Sequence, residues 1–147
     1  MPLDLKITQI SNHWLLFKKE GGLYQKVGII SLKSSKSTLL LFEKSKAILT
    51  NKMIDNTYLF YLTTEDYTLN SFFNYSKQNF LKWKKSTSEE FLECFFSFPY
   101  YFIKARKKKI AKILPFSSDA YIIKIKTKVD IPPIVLLGSI LPLIKKY

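Results

Sequence analysis

The densest chemical signal in the sequence is Lys104-Ala105-Arg106-Lys107-Lys108-Lys109, five cations in six residues, with Lys112 close behind. Like charges at that density repel one another unless an anion lies among them. Lysines can follow a phosphate backbone as point charges, and the planar fork of Arg106 suits a bidentate contact. The competing reading of this stretch is a solvated hairpin tip. Lys82, Lys84 and Lys85 surround Trp83 and form a second basic group. There the indole reads as a core residue in preference to a platform for bases. Lys145-Lys146-Tyr147 brings further positive charge to the end of the sequence.

Residue types that would support catalysis are sparse. His13 is the sole histidine, and neither Asn12 nor Trp14 beside it completes a nucleophile–base motif. It reads as a strand-entry residue. Cys94 is the sole cysteine and lies within the aromatic run Phe91–Phe98, so it reads as a small core residue, with no internal disulfide possible. One His and one Cys give no zinc-ligand spacing. Gly21-Gly22 lacks the downstream Gly-Lys-Ser/Thr of a phosphate loop. Glu89, Glu90 and Glu93 could cluster as carboxylates but read better as the solvated start of an element. The expectation is a protein that is not an enzyme, has no cofactor and no metal, and takes no small-molecule substrate.

Charge points to the kind of partner. In 147 residues, 24 basic side chains face 11 acidic ones, for a net charge of +13, and all the basic residues except Arg106 are lysine. Nucleic acid or an anionic membrane surface would neutralise such an excess. A lysine-biased but merely solvated surface is the alternative. Abundant Ile, Phe, Tyr, Asn and Lys imply an AT-rich gene of the organellar kind. The N-terminal Met1-Pro2-Leu3-Asp4-Leu5 has neither a signal peptide's pattern nor that of an arginine-rich transit segment, so synthesis inside the organelle is expected. The apolar run Ile131–Ile144 is shorter than the roughly 20 residues of a membrane span and contains Pro132, Pro133 and Pro142, so no membrane span is expected.

The elements that must position these residues begin with strands. His13–Lys18 and Leu23–Leu32 flank Glu20-Gly21-Gly22, whose paired glycines suit a tight hairpin. Thr38–Phe42, Lys46–Thr50 and Tyr58–Leu62 continue the pattern. In Thr68–Lys84, the spacing of Leu69, Phe72, Phe73, Phe80 and Trp83 predicts a helix, with Asp66 or Thr68 as its cap. Ser86-Thr87-Ser88-Glu89-Glu90 reads as a linker or a capping box. Phe91–Ala105 predicts a strand, with Pro99 marking an edge or bulge. Lys109–Leu114 and Ala120–Val129 form an antiparallel pair, and alternation from Ile123 onward puts Lys124, Lys126 and Lys128 on one outward face. The fold expected is α+β: two small antiparallel-sheet units, each with at most one or two helices, covering residues 1–85 and 86–147.

Three stretches resemble the family of universal large-subunit ribosomal protein six in its organellar form. Trp14-Leu15-Leu16-Phe17-Lys18-Lys19-Glu20-Gly21-Gly22-Leu23 is similar to the family's first hairpin. Phe91–Ala105 followed by Lys109–Ser117, with Ile113-Leu114-Pro115-Phe116-Ser117, is similar to the opening of its second domain. Ile134-Val135-Leu136-Leu137-Gly138 is similar to the strand leading into its last helix. The family's glycines are replaced around Pro99 and Tyr101, and its Lys-Gly-Lys-Gly motif is absent. The resemblance implies a divergent, truncated member with two related α+β domains, no catalysis, and contact with ribosomal RNA near the sarcin–ricin loop.

The expected function is therefore a structural constituent of the large subunit of an organellar, mitochondrial ribosome, held by ribosomal RNA and neighbouring ribosomal proteins. Lys104, Arg106, Lys107, Lys108, Lys109, Lys112, Lys82, Lys84 and Lys85 are its expected RNA contacts. An organelle-encoded interaction subunit of another complex, such as a respiratory assembly, is the alternative.

Overall fold

Alternation of period two runs through most of the chain, and nearly all of it becomes strand. A computed structural model describes residues 3–55, 57–72, 80–85, 90–126 and 128–144. The strands are β1 (Leu3–Ile10), β2 (His13–Glu20), β3 (Leu23–Ser34), β4 (Ser37–Phe42), β5 (Ser45–Ile54) and β6 (Thr57–Thr64). They continue as β7 (Thr68–Phe72), β8 (Phe80–Lys84), β9 (Glu90–Ser97), β10 (Tyr100–Ala105), β11 (Lys108–Ser117) and β12 (Ala120–Ile125), and the helix α1 (Pro133–Ile144) follows. Each strand pairs antiparallel with its sequence neighbour, and β1 pairs with β12 through Leu5↔Ile123. The result is a closed twelve-stranded barrel, and closure removes both sheet edges.

This overturns the α+β arrangement of two sheet units. Lys84↔Glu90 joins β8 to β9 across the expected division, and β12 closes onto β1. The helix expected over Thr68–Lys84 is also corrected, because β7 and β8 are strands. Leu69 and Ser71 of β7 and Leu81 and Trp83 of β8 are buried, and two short alternating segments can imitate helical spacing when read as one. Expected helix-face residue Phe73 lies outside the described residues, as do positions 86–89 of the supposed linker. The strand expected over Phe91–Ala105 is two strands, with Pro99 in the reversal between Ser97 and Tyr100. The strand expected at Ile134–Gly138 from the family resemblance is instead the first half of α1.

A barrel of about eight strands can be filled by its own side chains, whereas a wider one needs other contents. Here α1 supplies them. It is apolar on every side, as a fully enclosed helix must be, and ten of its twelve residues are buried. Pro133 opens it, at a position where a missing N–H costs nothing. Its side chains meet inward residues such as Leu40, Leu49, Leu62, Leu81 and Leu92 in one hydrophobic cluster. The helix comes close to the wall at Gly138, where a Cβ would lie 2.5 Å from Leu62 Cδ1.

Polar groups fix the helix in place. Trp83 Nε1–H donates to the Ser139 carbonyl at 3.0 Å, and the Cys94 thiol donates to the same oxygen at 3.5 Å. Ser139 Oγ donates back to the Leu136 carbonyl at 2.8 Å. Burial pushes the Cys94 thiol up from 9.0 to about 12, with the Ser139 hydrogen bond acting in the opposite direction and Glu93 adding to the rise. Among the described residues no helix is long and apolar enough to cross a membrane. The wall is apolar inside, and its outer face on β11 and β12 carries Lys112 and Lys124.

Candidate nucleic-acid interface

One end of the barrel gathers the turn after β6, the end of β8, the start of β9, the β10–β11 hairpin and the segment from β12 to α1. Together they enclose an open cleft of about 800 Å³. Its cations are Lys85, Arg106, Lys108, Lys109, Lys126 and Lys128, against the acids Glu90 and Asp130. Among the described residues six cations face two acids, which makes the cleft positive, and its concave wall concentrates that field. Tyr67 and Phe91 form an aromatic side wall, with ring centroids 5.6 Å apart. Lys85 Nζ lies 5.1 Å from the Tyr67 ring centroid and 5.5 Å from that of Phe91.

The hairpin that carries the main basic group is tight. Arg106 and Lys107 are its two turn residues, with φ of 51° and 66°. Such turns favour Asn-Gly, and side chains larger than these in the left-handed region are costly, by about 1–3 kcal/mol each. Lys128 beside the cleft has φ 63° as well. Three cations thus occupy backbone conformations that other residues would adopt more easily. Ser11, Glu43 and Asp55 share this conformation in other turns, with φ of 56°, 51° and 49°, so the strain belongs to the tight turns of the barrel and not to the cations alone.

The structure brings some of the sequence-predicted residues together and separates others. Lys85, Arg106, Lys108 and Lys109 line the main cleft. Lys104, Arg106 and Lys107 line a smaller depression of about 230 Å³, where Glu90 and Glu93 partly offset them. Lys112 lies further along the outer wall with Lys109, Lys124 and Lys126, in a groove of about 250 Å³. Lys82 and Lys84 point to the outer face of β8, and Lys82 Nζ is 3.9 Å from Glu90. Trp83 between them is fully buried. Lys126 and Lys128 line the same cleft although they stand outside both basic groups of the sequence. The alternation of β12 was the available signal, since it put Lys124 and Lys126 opposite Ile123 and Ile125.

His13 opens β2, paired with Ile10 and Ser31. Cys94 is buried in the core. Among the described residues no three His, Cys, Asp or Glu side chains gather as a metal site. Comparison with known proteins gives no match to a family profile, to a curated protein or to a solved structure.

Proposed function

We propose that this barrel is a non-catalytic RNA-binding protein that works within a ribonucleoprotein, with an organellar large ribosomal subunit as the assembly to test first. The observation that carries the reading is the mouth of the barrel, where six cations line one cleft against two acids. Three of them, Lys85, Lys126 and Lys128, come from beyond the basic run that stands out in the sequence. A phosphate backbone supplies closely spaced negative charge that such a cleft can hold, and the enclosed α1 keeps its walls rigid. The ribosomal placement rests on composition and on the short resemblances. The two-domain fold which those resemblances implied is not the fold of this chain, so the cleft supports RNA binding without selecting the particle.

The test is binding of the full chain to structured RNA across salt concentrations. If about six phosphates are engaged, affinity should fall roughly a thousandfold between low and moderate salt. A flat response would contradict the proposal. The second reading, an interaction subunit of another complex, draws on the outer face of β4–β6, where Leu41, Ile48 and Tyr61 are exposed. That reading expects tight association with a protein neighbour and weak, salt-insensitive binding to RNA.

A further inference from the structure

Beside the cleft, the outer surface of β8–β11 carries a row of aromatic rings. Phe80 pairs with Phe95, and Phe95 with Phe102, in successive cross-strand registers. Phe95 and Phe102 stack, with centroids 5.6 Å apart and ring planes 27° from parallel. Tyr100 meets Phe102 edge-on at 6.3 Å. These rings are only partly covered by the protein.

Lysine ammonium groups lie over them. Lys109 Nζ is 4.1 Å from the Phe102 centroid, and Lys112 Nζ is 4.1 Å from that of Tyr100. Lys104 Nζ is 5.4 Å from Phe95, and Lys82 Nζ is 5.6 Å from Phe80. A cation over an exposed ring gains little, because water competes for the ammonium. Lysine stems are flexible enough to exchange this contact for another. Lys109 lines both the mouth cleft and the lysine groove on the outer wall, so the two surfaces are continuous.

We propose that the outer surface of β8–β11 is a stacking platform for unpaired nucleotides of an RNA strand that leaves the mouth cleft. Bases take the faces of Phe95 and Phe102, and Lys104, Lys109 and Lys112 turn from the rings to the phosphates. Base–aromatic stacking tolerates any sequence, because every base has a π face, and the neighbouring lysines track the backbone. A duplex cannot use this surface, since its bases are already stacked and paired. The inference rests on the RNA-binding reading and adds to it a preference for single strands.

The experiment titrates the full chain with an unstructured oligouridine, an RNA duplex of matched length and polyglutamate of matched charge. It compares the parent with the double variant Phe95→Leu/Phe102→Leu, which keeps apolar cover. The double variant should lose tenfold or more in affinity for oligouridine, about tenfold per stacked base. It should change less than about twofold toward the duplex and keep its salt slope. A second variant, Phe102→Trp, should lose emission on binding oligouridine but not on binding the duplex. Equal losses on both RNAs, or no loss on either, would overturn the platform while leaving the basic cleft intact. Polyglutamate binding as tightly as oligouridine would overturn it in favour of an acidic protein surface. Absence of salt-sensitive binding to every ligand would overturn the RNA-binding reading itself.

Discussion

The two ends of this barrel are built in different ways. At one end Trp14, Tyr101 and Tyr121 crowd together, with Trp14 6.2 Å from Tyr121 and Tyr101 6.4 Å from Tyr121. Phe96 adds a ring 4.9 Å from Tyr101. The other end is open, positive and bordered by strained turns. The same alternating strands run through both. The aromatic end adds buried area and therefore stability. The basic end concentrates like charge and left-handed backbone, both of which oppose folding. The RNA-binding proposal assigns the partner to the basic mouth and leaves the other end a structural role.

Four substitution tests sharpen the contrast, the largest effect first. Trp14→Ala at the aromatic end should cost about 3–5 kcal/mol in denaturant unfolding, because Trp14 is almost fully buried. RNA affinity of the folded variant should be unchanged. Replacing Arg106, Lys107, Lys108 and Lys109 with Gln should do the opposite. Affinity should drop roughly a hundredfold near physiological salt, and the salt slope should fall by up to about four units, while the unfolding midpoint hardly moves. The matched control is Lys33, Lys36, Lys44 and Lys46, exposed positions that do not line the cleft, changed likewise. Equal losses from both sets would show charge acting as a diffuse field.

Arg106→Asn/Lys107→Gly supplies the residues that the turn prefers. It should raise stability by about 1 kcal/mol and weaken RNA binding, so strain and function would separate in one variant. Between the two ends, Gly138→Ala forces a methyl against Leu62. Overpacking of about 1–3 kcal/mol outweighs a helix-propensity gain of at most about 1 kcal/mol, so chemical denaturation should show a net loss.

Alkaline pH gives a smaller effect of the same structural kind. Cys94 ionises near 9.0 when exposed but only near 12 when folded, and burial also raises Tyr101 and Tyr121 above 10.0. In that window the unfolded chain holds fewer protons than the folded one, so stability is full below pH 9.0 and declines as pH rises toward 12. Cys94→Ala should flatten part of that decline in urea midpoints measured across the window.

Much of the strand pattern was legible because turn chemistry and alternation are local. Gly21 and Gly22 announce the β2–β3 hairpin, and both have positive φ. Ile123-Lys124-Ile125-Lys126 announces the inner and outer faces of β12. β1 went unread although Leu3, Leu5 and Ile7 alternate with Asp4, Lys6 and Thr8. Barrel closure was not legible, because the pairing of β1 with β12 joins the two most distant strands and no local signal encodes it. The apolar run Ile131–Ile144 was too short for a membrane, and only the closed barrel explains what surrounds it. The basic hairpin was legible as composition. Its strained turn and its convergence with Lys126 and Lys128 required the register.

The most direct test of the account is a lysine-reactivity footprint of the full chain with and without bound RNA, read by mass spectrometry after brief acetylation. Lys85, Lys108, Lys109, Lys126 and Lys128 should be protected in the complex, while Lys33, Lys36, Lys44 and Lys46 react as they do in the free protein. Protection spread evenly over both groups, or confined to the second, would contradict a binding site at the barrel mouth.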